Sequence, residues 1–438
     1  MKRFIFLLND YGMLVVLFLL CLFFTFQTLE KRKATGTDGA VTLGTEIQGR
    51  FNPGNFVFIS AGTKPDDVVF AEKLELDLKA AGFRVAVAQG TPSATKSALK
   101  TLAEKSELPV VIAASPSMKS GPVFADAKGV PRLYPRERLR SKFLGRDNLL
   151  NVGSQISKIA IIAIGMTMVI ITAGIDLSVG SLVALTAVAT AWLIERFGGD
   201  QSSVLMLFVA SFGGIMIGGL VGLFSGGMVT AFRMPPFIVT LAVMFMASGF
   251  AFVWSDGESI HDVPTSYTWL GRGFTFGIPN SVILMLVLYL IAHLVMSRTA
   301  LGRYIYAVGG NPEAARLSGV PVKRVLLIVY TLSGLLAGVA GVIATSELEA
   351  GSATYGDQME LMVIAAVVVG GTSIMGGEGR IFGTLIGALM ISVIAVGMNM
   401  MGIKSFWQKI VFGGLILLAV LLNQVKHDWL NRNQSVAN

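Results

Sequence analysis

The stretch GMTMVIITAGIDLSVGSLVALTA, Gly165 to Ala187, decides the fold. Its two apolar halves belong to longer runs, Ile156 to Thr172 and Leu177 to Leu193. The joining segment Thr172-Ala173-Gly174-Ile175-Asp176-Leu177-Ser178-Val179-Gly180-Ser181 leaves almost no room for a loop. A helix in lipid must satisfy its own backbone and needs about 20 mostly apolar residues to cross. Two such runs joined this tightly read as neighbouring spans. Gly174 can end the first helix and Asp176 or Ser178 can cap the second, which satisfies polar backbone ends close to the membrane. A second reading stays open beside the capped turn: Thr172, Gly174, Asp176, Ser178 and Ser181 belong to a broken-helix element lining a route. Irregular backbone is tolerated at membrane depth where it faces protein or water.

Working outward, eight further runs have the same character. They are Tyr11 to Thr28, Val204 to Val229, Pro236 to Trp254, Ser281 to Met296, Val325 to Thr345, Leu361 to Val369 with weaker residues on both sides, Ile381 to Met401 and Phe406 to Leu422. Together they make about ten expected spans. The composition agrees: of 438 residues, 53% are hydrophobic and 14% charged, against about 25% charged in an ordinary soluble domain. Lys and Arg number 35 against 27 Asp and Glu, a formal net charge of +8. These charges lie between apolar runs, where Lys and Arg orient membrane proteins, not on one nucleic-acid-binding face. The single cysteine, Cys21, cannot form an intramolecular disulfide, and the three histidines show no metal-ligand spacing. Among the 50 glycines, Gly213-Gly214, Gly218-Gly219 and Gly222 form a face suited to close helix packing.

Met1-Lys2-Arg3 before the first run looks like the start of a signal sequence, but no small-residue cleavage site follows Thr28. The run reads as an uncleaved anchor. With the amino terminus inside, Arg233, Arg298, Arg303, Arg316, Lys323, Arg324, Arg380, Lys426 and Arg432 fall on the cytoplasmic side. Asp256, Glu258, Asp262, Glu347, Glu349 and Asp357 fall outside, as the positive-inside rule expects. Two clusters run against it: Lys31-Arg32-Lys33, and Arg132, Arg136, Arg138, Arg140, Lys142 and Arg146. Loops longer than about 60 residues translocate largely regardless of charge, which permits both to lie outside.

Between those clusters the composition becomes that of a soluble domain. Asn55 to Ala61, Arg84 to Gln89 and Pro109 to Ala114 read as strands, alternating with helices over Pro65 to Ala81 and Thr91 to Ser106. That alternation implies a small parallel sheet. Gly36-Thr37-Asp38-Gly39, Pro116, Gly121-Pro122 and Pro135 read as turn or linker chemistry at its borders. The expected fold is an all-α polytopic membrane protein with a small α/β domain inserted after the first helix. Residues 1–28 are the anchor, 29–143 the extracytoplasmic insertion, 144–424 the polytopic unit and 425–438 a cytoplasmic tail.

No Walker A pattern is present, so the chain has no phosphate cradle of its own. Ion-coupled carriers keep ionisable groups deep in their spans. Here Asp176 and Glu360 are the nearest candidates, both at span ends. Energy is therefore expected from another subunit. In the large cytoplasmic loop, Asn311-Pro312-Glu313-Ala314-Ala315-Arg316-Leu317-Ser318-Gly319 carries a complete short-helix signal. Asn311 suits the N-cap, Pro312 the first helical position, Glu313 the positive end of the dipole, and Gly319 a left-handed close. Such a helix either passes force from a cytosolic motor or simply orders a connector. Gly370 to Arg380 is a second glycine-rich reversal near the same face as the Gly174 turn, and Arg233-Met234-Pro235-Pro236-Phe237 a third turn. Asn399, among Met398, Met400 and Met401, either lines a path or packs in a helix interface.

At these residues the chain resembles the permease subunits of ribose-type and xylose-type sugar importers of the ATP-binding-cassette class. The resemblance lies in residues 165–187, in MPPFIVTLAVM (234–244), GRYIYAVGGNPEAARLSGV (302–320), VVVGGTSIMGGEGRIFGTLIGALM (367–390) and SFWQKIVFGGLILLAVLL (405–422). It implies that the segment holding Gly310, Asn311, Glu313, Ala314, Ala315, Arg316, Leu317 and Gly319 couples this chain to a cytosolic ATPase, which binds the ATP and magnesium. It further implies a second permease subunit, an extracytoplasmic sugar-binding protein, a bacterial inner-membrane location, and no catalysis or cofactor in this chain. Importers of branched-chain amino acids or nucleosides and ion-coupled carriers are the alternatives. Residues 29–143 depart from the family pattern. They either help to dock the binding protein or are a structural addition.

Overall fold

A computed structural model describes residues 2–118, 122–124, 127 and 129–435. The chain forms two compact units, Leu29–Lys142 and, separately, Met1–Thr28 with Phe143–Asn438. Gly121, expected in a linker, lies outside the described residues.

Helix α1 (Lys2–Gln27) precedes the smaller unit, which comprises β1 (Leu29–Lys33), α2 (Gly36–Arg50), β2 (Phe56–Ala61), α3 (Pro65–Ala80), β3 (Arg84–Gln89), α4 (Pro92–Glu104), β4 (Val111–Ala114), β5 (Arg132–Leu133) and β6 (Glu137–Ser141). Strands β3-β2-β4-β5 form a parallel sheet in that order. Alternation along β2 sends Val57 and Ile59 to a core with Leu43, Ile47, Phe70, Leu74 and Leu78 of α2 and α3. Phe58 joins Leu99 of α4 and Ile112 on the other face. Both faces are thus covered, as parallel sheets require.

Two border readings change. Gly36-Thr37-Asp38-Gly39 is no linker but the first turn of α2. Its glycine serves packing: a Cβ at Gly39 would stand 2.6 Å from Ala34 O and 3.3 Å from the Phe70 ring. The first basic cluster and part of the second, Arg138 and Arg140, lie in the strands of one antiparallel ribbon, β1 with β6, in the register Leu29↔Ser141, Lys31↔Leu139 and Lys33↔Glu137, while Arg132 is in β5 and Arg146 opens α5. Further basic residues have partners inside this unit: Arg136 Nε lies 3.0 Å from Glu46 Oε2, and the Arg132 guanidinium sits 5.1 Å from the Phe124 ring centre.

The larger unit continues with α5 (Arg146–Ile171), α6 (Val179–Arg196), α7 (Val204–Ala231), α8 (Pro236–Trp254), α9 (Asn280–Arg298), α10 (Ala300–Gly310), α11 (Pro312–Leu317), α12 (Val322–Leu348), α13 (Met359–Val369), α14 (Ile381–Met400) and α15 (Ser405–Ser435). All ten apolar runs fall on helices. Among the described residues seven helices are long and apolar enough to cross a membrane; the apolar parts of α1, α13 and α15 are shorter. Burial sorts them. The most apolar stretches of α5 and α6 are 83% and 72% buried, whereas those of α7 and α8 are 28% buried and present Phe208, Phe245 and Phe250 outward. Helices α7 and α12 meet through glycine: a Cβ on Gly222 would overlap the Tyr330 carbonyl, and one on Gly218 would overlap that of Gly334. This is the small-residue packing that lets membrane helices approach.

The chain breaks before α13. After α12, Gly351 lies against Ala187, Val188 and Ala191, and Gly356 against Gly180 and Val183. Residues 351–356 therefore run back along α6 without helical hydrogen bonding along their length. The level at which α13 starts is fixed by α12, because Gly341 of α12 also packs on Val183 and Ala187. Gly341 lies about three quarters of the way along Val322–Leu348, but Asp176, just before α6, bonds Ser333 near its middle, so Gly180 and the start of α13 lie level with a point a little past the middle of α12. At 1.5 Å per residue, its 11 residues reach about 16 Å, half a bilayer.

Candidate functional site

Three segments singled out in the sequence converge at one end of the larger unit. Helix α5 closes through the αL residue Ala173 (φ 61°): Ala173 N donates to Ile170 O at 2.9 Å and Gly174 N to Val169 O at 3.0 Å. This is a Schellman close. The left-handed role expected of Gly174 thus falls to Ala173. Gly174 is needed for a different reason, since a Cβ there would stand 2.5 Å from Tyr330 Oη. Onto this turn fold the other two segments. Gly377 N donates to Ile171 O at 2.9 Å, a Cβ on Gly376 would meet that of Ala173 at 2.9 Å, and one on Gly309, near the end of α10, would overlap the Ile171 carbonyl. Tyr306 Oη of α10 donates to Gly379 O at 2.7 Å. Burial raises the Tyr306 phenol above its usual pKa, and nearby Arg380 partly offsets this.

The turn is held from within by Asp176, which is 1% exposed. Its Oδ1 accepts from Ser178 N (3.0 Å) and Ser178 Oγ (2.6 Å), and its Oδ2 from Ser333 Oγ of α12 (2.9 Å). Donors in place of a counter-cation are how a buried carboxylate is accommodated. Ser178 sits at the N-cap of α6, but its hydroxyl turns back to Asp176 and caps no α6 amide. Ile175 O accepts from Thr240 Oγ1 of α8 at 3.1 Å, Thr172 is buried with its hydroxyl on Val169 O, and Ser181 is half-buried in the first turn of α6. Ser333 and Tyr330 lie well inside α12, so this turn is interior to the helix bundle and not at its rim. The Tyr330 hydroxyl, fully buried beside it, has no hydrogen-bond partner among the described residues.

Helix α11 follows directly. Asn311 Oδ1 accepts from Glu313 N and Ala314 N, both at 3.0 Å, and Arg316 Nη2 pairs with Glu313 Oε2 at 2.8 Å. Gly319 (φ 83°) and Val320 close the helix, with Gly319 N on Arg316 O and Val320 N on Ala315 O. Ala315 alone of this helix is buried, while Leu317, its largest apolar side chain, is 83% exposed. Gly310 joins α11 to the convergence, its Cα 3.1 Å from where a Cβ on Gly377 would stand. Asn399 is not part of this. It is exposed at the far end of α14 from Gly379 and accepts from Gln408 Nε2 of α15 at 2.6 Å.

Two features go beyond what the sequence alone suggests. Lys158, in the apolar run of α5, forms an ion pair with Glu347 at the end of α12; the lone lysine was visible, its distant partner was not. Helix α10 occupies part of the expected cytoplasmic loop, and Thr299 caps it by accepting from Gly302 N at 3.4 Å.

Residues 148–420 match the family model described as branched-chain amino acid transport system / permease component. The chain is 42% identical over 292 residues to the ribose import permease of Escherichia coli K12, covering 66% of this chain and 89% of that one. It is 43% identical over 290 residues to the ribose import permease of Bacillus subtilis, covering 66% and 88%. Against the D-allose transport system permease of Escherichia coli K12 the identity is 37% over 283 residues, covering 65% and 85%. No solved structure matches the chain.

Proposed function

The chain belongs to the permease family described as branched-chain amino acid transport system / permease component, and from that premise we propose that it is the membrane subunit of an ATP-binding-cassette importer for a monosaccharide. The observation that carries the substrate class is the 37–43% identity, over more than four fifths of their length, to permeases named for ribose and D-allose. Ten helices cross the bacterial inner membrane in this reading: α1, α5 to α9, α12, the half-span α13 with its preceding segment, α14 and α15. Both termini and α11 face the cytoplasm, and residues 29–142 lie outside. A partner ATPase binds ATP and magnesium, a second permease subunit completes the path, and an extracytoplasmic binding protein delivers the sugar.

Helix α11 is the coupling element. Its exposed Leu317, Glu313 and Arg316 meet the ATPase, and its displacement reaches the α5–α6 turn through the backbone contacts of Gly309 and Gly310 with Ile171 and Gly377. Close-packed backbone cannot compress, so the contacts pass motion on instead of absorbing it. The turn, locked by Asp176, Ser178 and Ser333, is the inner gate.

The test is reconstitution. The tagged chain, purified from its native membrane with what accompanies it, should bring an ATPase subunit and, reconstituted with the binding protein, import radiolabelled D-ribose or D-allose on ATP with no ion gradient. Absence of an ATPase, with uptake abolished by a protonophore, overturns the reading. Glu313→Arg should leave the complex assembled while ATP hydrolysis no longer drives uptake; normal coupling in that variant removes α11 from the mechanism.

A further inference from the structure

The break before α13 places polar side chains where a spanning helix would carry apolar ones. Thr354 and Asp357 are exposed, and Tyr355, Gln358 and Glu360 are half-exposed. Their depth is fixed by packing: Gly356 lies on Gly180 and Val183, the Glu360 carboxylate lies against Gly180, and Gly180 falls between the levels of Ser333 and Gly341, a little past the middle of α12. Near the middles of the outward helices α8 and α9 the exposed residues include Phe245, Met246, Leu290 and Ile291. Lipid accepts that apolar face. It rejects carboxylates and amides, and it rejects a stretch of backbone without helical hydrogen bonds, so this surface faces water, polar solute or another protein surface and not lipid.

Resting on the importer reading, we propose that Thr354, Tyr355, Gln358 and Glu360 line the sugar's path at mid-membrane and exchange its hydrating waters for hydrogen bonds to its hydroxyls. The residue types fit a neutral polyol. The Glu360 carboxylate accepts from hydroxyls, the Gln358 amide both donates and accepts, and the Tyr355 ring offers an apolar face to the C–H side of a pyranose or furanose. Gly180 is required beneath this surface because any side chain there would overlap Glu360, which makes it part of the path's wall. A short half-helix with non-helical backbone at mid-depth is also the form in which transporters place solute contacts.

The test uses the full complex with Cys21, the only cysteine, changed to serine. Thr354→Cys and Gln358→Cys are exposed to a charged, membrane-impermeant methanethiosulfonate, with Leu290→Cys as the lipid-facing control. Modification of positions 354 and 358, but not 290, with at least tenfold loss of D-ribose or D-allose uptake, is the expected result. It is read by mass shift without any sugar, so a failed importer reading leaves the labelling outcome intact. Inaccessibility of both positions means the surface is sealed in a seam between two copies and overturns the proposal. So does labelling that leaves uptake unchanged. Glu360→Gln gives a second measure: sugar uptake falls with the ATPase still stimulated by the binding protein, whereas a purely structural role lowers complex yield instead.

Discussion

The two units of this chain are held together by opposite means. In residues 29–142 large side chains fill a core, with Phe58, Phe70, Leu74 and Leu78 each at most 1% exposed. Around α5, α6, α7 and α12 the tight contacts are made by the lack of side chains: Gly218 on Gly334, Gly222 on Tyr330, Gly309 on Ile171. The difference follows from the solvent. Water drives apolar groups together at about 25 cal/mol per Å². Lipid tails exert no such drive, so helices in them gain mostly from close backbone approach. One unit is broken by removing atoms, the other by adding them.

That contrast can be broken or sharpened experimentally. The largest effect is expected from Gly309→Val, where the added atoms overlap the Ile171 carbonyl. Uptake should fall at least a hundredfold while the chain still inserts; uptake within threefold of wild type means that the convergence is looser than described. Gly218→Val wedges α7 from α12 and should cost roughly 1–3 kcal/mol as overpacking does, seen as a lower midpoint of thermal aggregation in detergent. In the smaller unit the same size of penalty needs the reverse change. Leu74→Ala should cost roughly 2–5 kcal/mol, read as faster proteolysis within residues 29–142 and not in the helices of the larger unit. Removing atoms from the lipid-facing side should matter least. Leu290→Ala, at a 57% exposed position, is expected to change stability by under about 0.5 kcal/mol, and a loss of 2 kcal/mol would show that α9 packs against another subunit there.

Much of this was legible because it is local. The caps of α11 are all chosen within nine residues, and Asn311, Pro312 and Gly319 each take the place their chemistry suggests. The parallel sheet was legible from alternation, since β2, β3 and β4 are short apolar runs between helices. What stayed hidden depends on partners far along the chain. The ribbon of β1 and β6 is not visible in the sequence, where Lys31-Arg32-Lys33 and Arg138 with Arg140 read only as misplaced basic residues until they are paired. Likewise Asp176 and Glu360 sit at helix ends in the sequence, and a helix end looks like a membrane surface. Only the packing of Ser333 and Gly180 shows that these ends lie inside the bundle. Gly174 illustrates the same limit: glycine was legible, but its cause is a tyrosine on another helix and not its own φ.

The pairing of Leu29 with Ser141 has a consequence for the history of the chain. Directly opposed residues in such a ribbon lie about 5 Å apart, and on the membrane side Phe143 N already donates to Thr28 Oγ1 at 3.2 Å. A segment whose two ends meet can be acquired or lost in a single recombination event without moving a helix of its host. Residues 29–142 have the geometry of a cassette, and the same seam is where a fluorescent reporter or an affinity module could be spliced in their place.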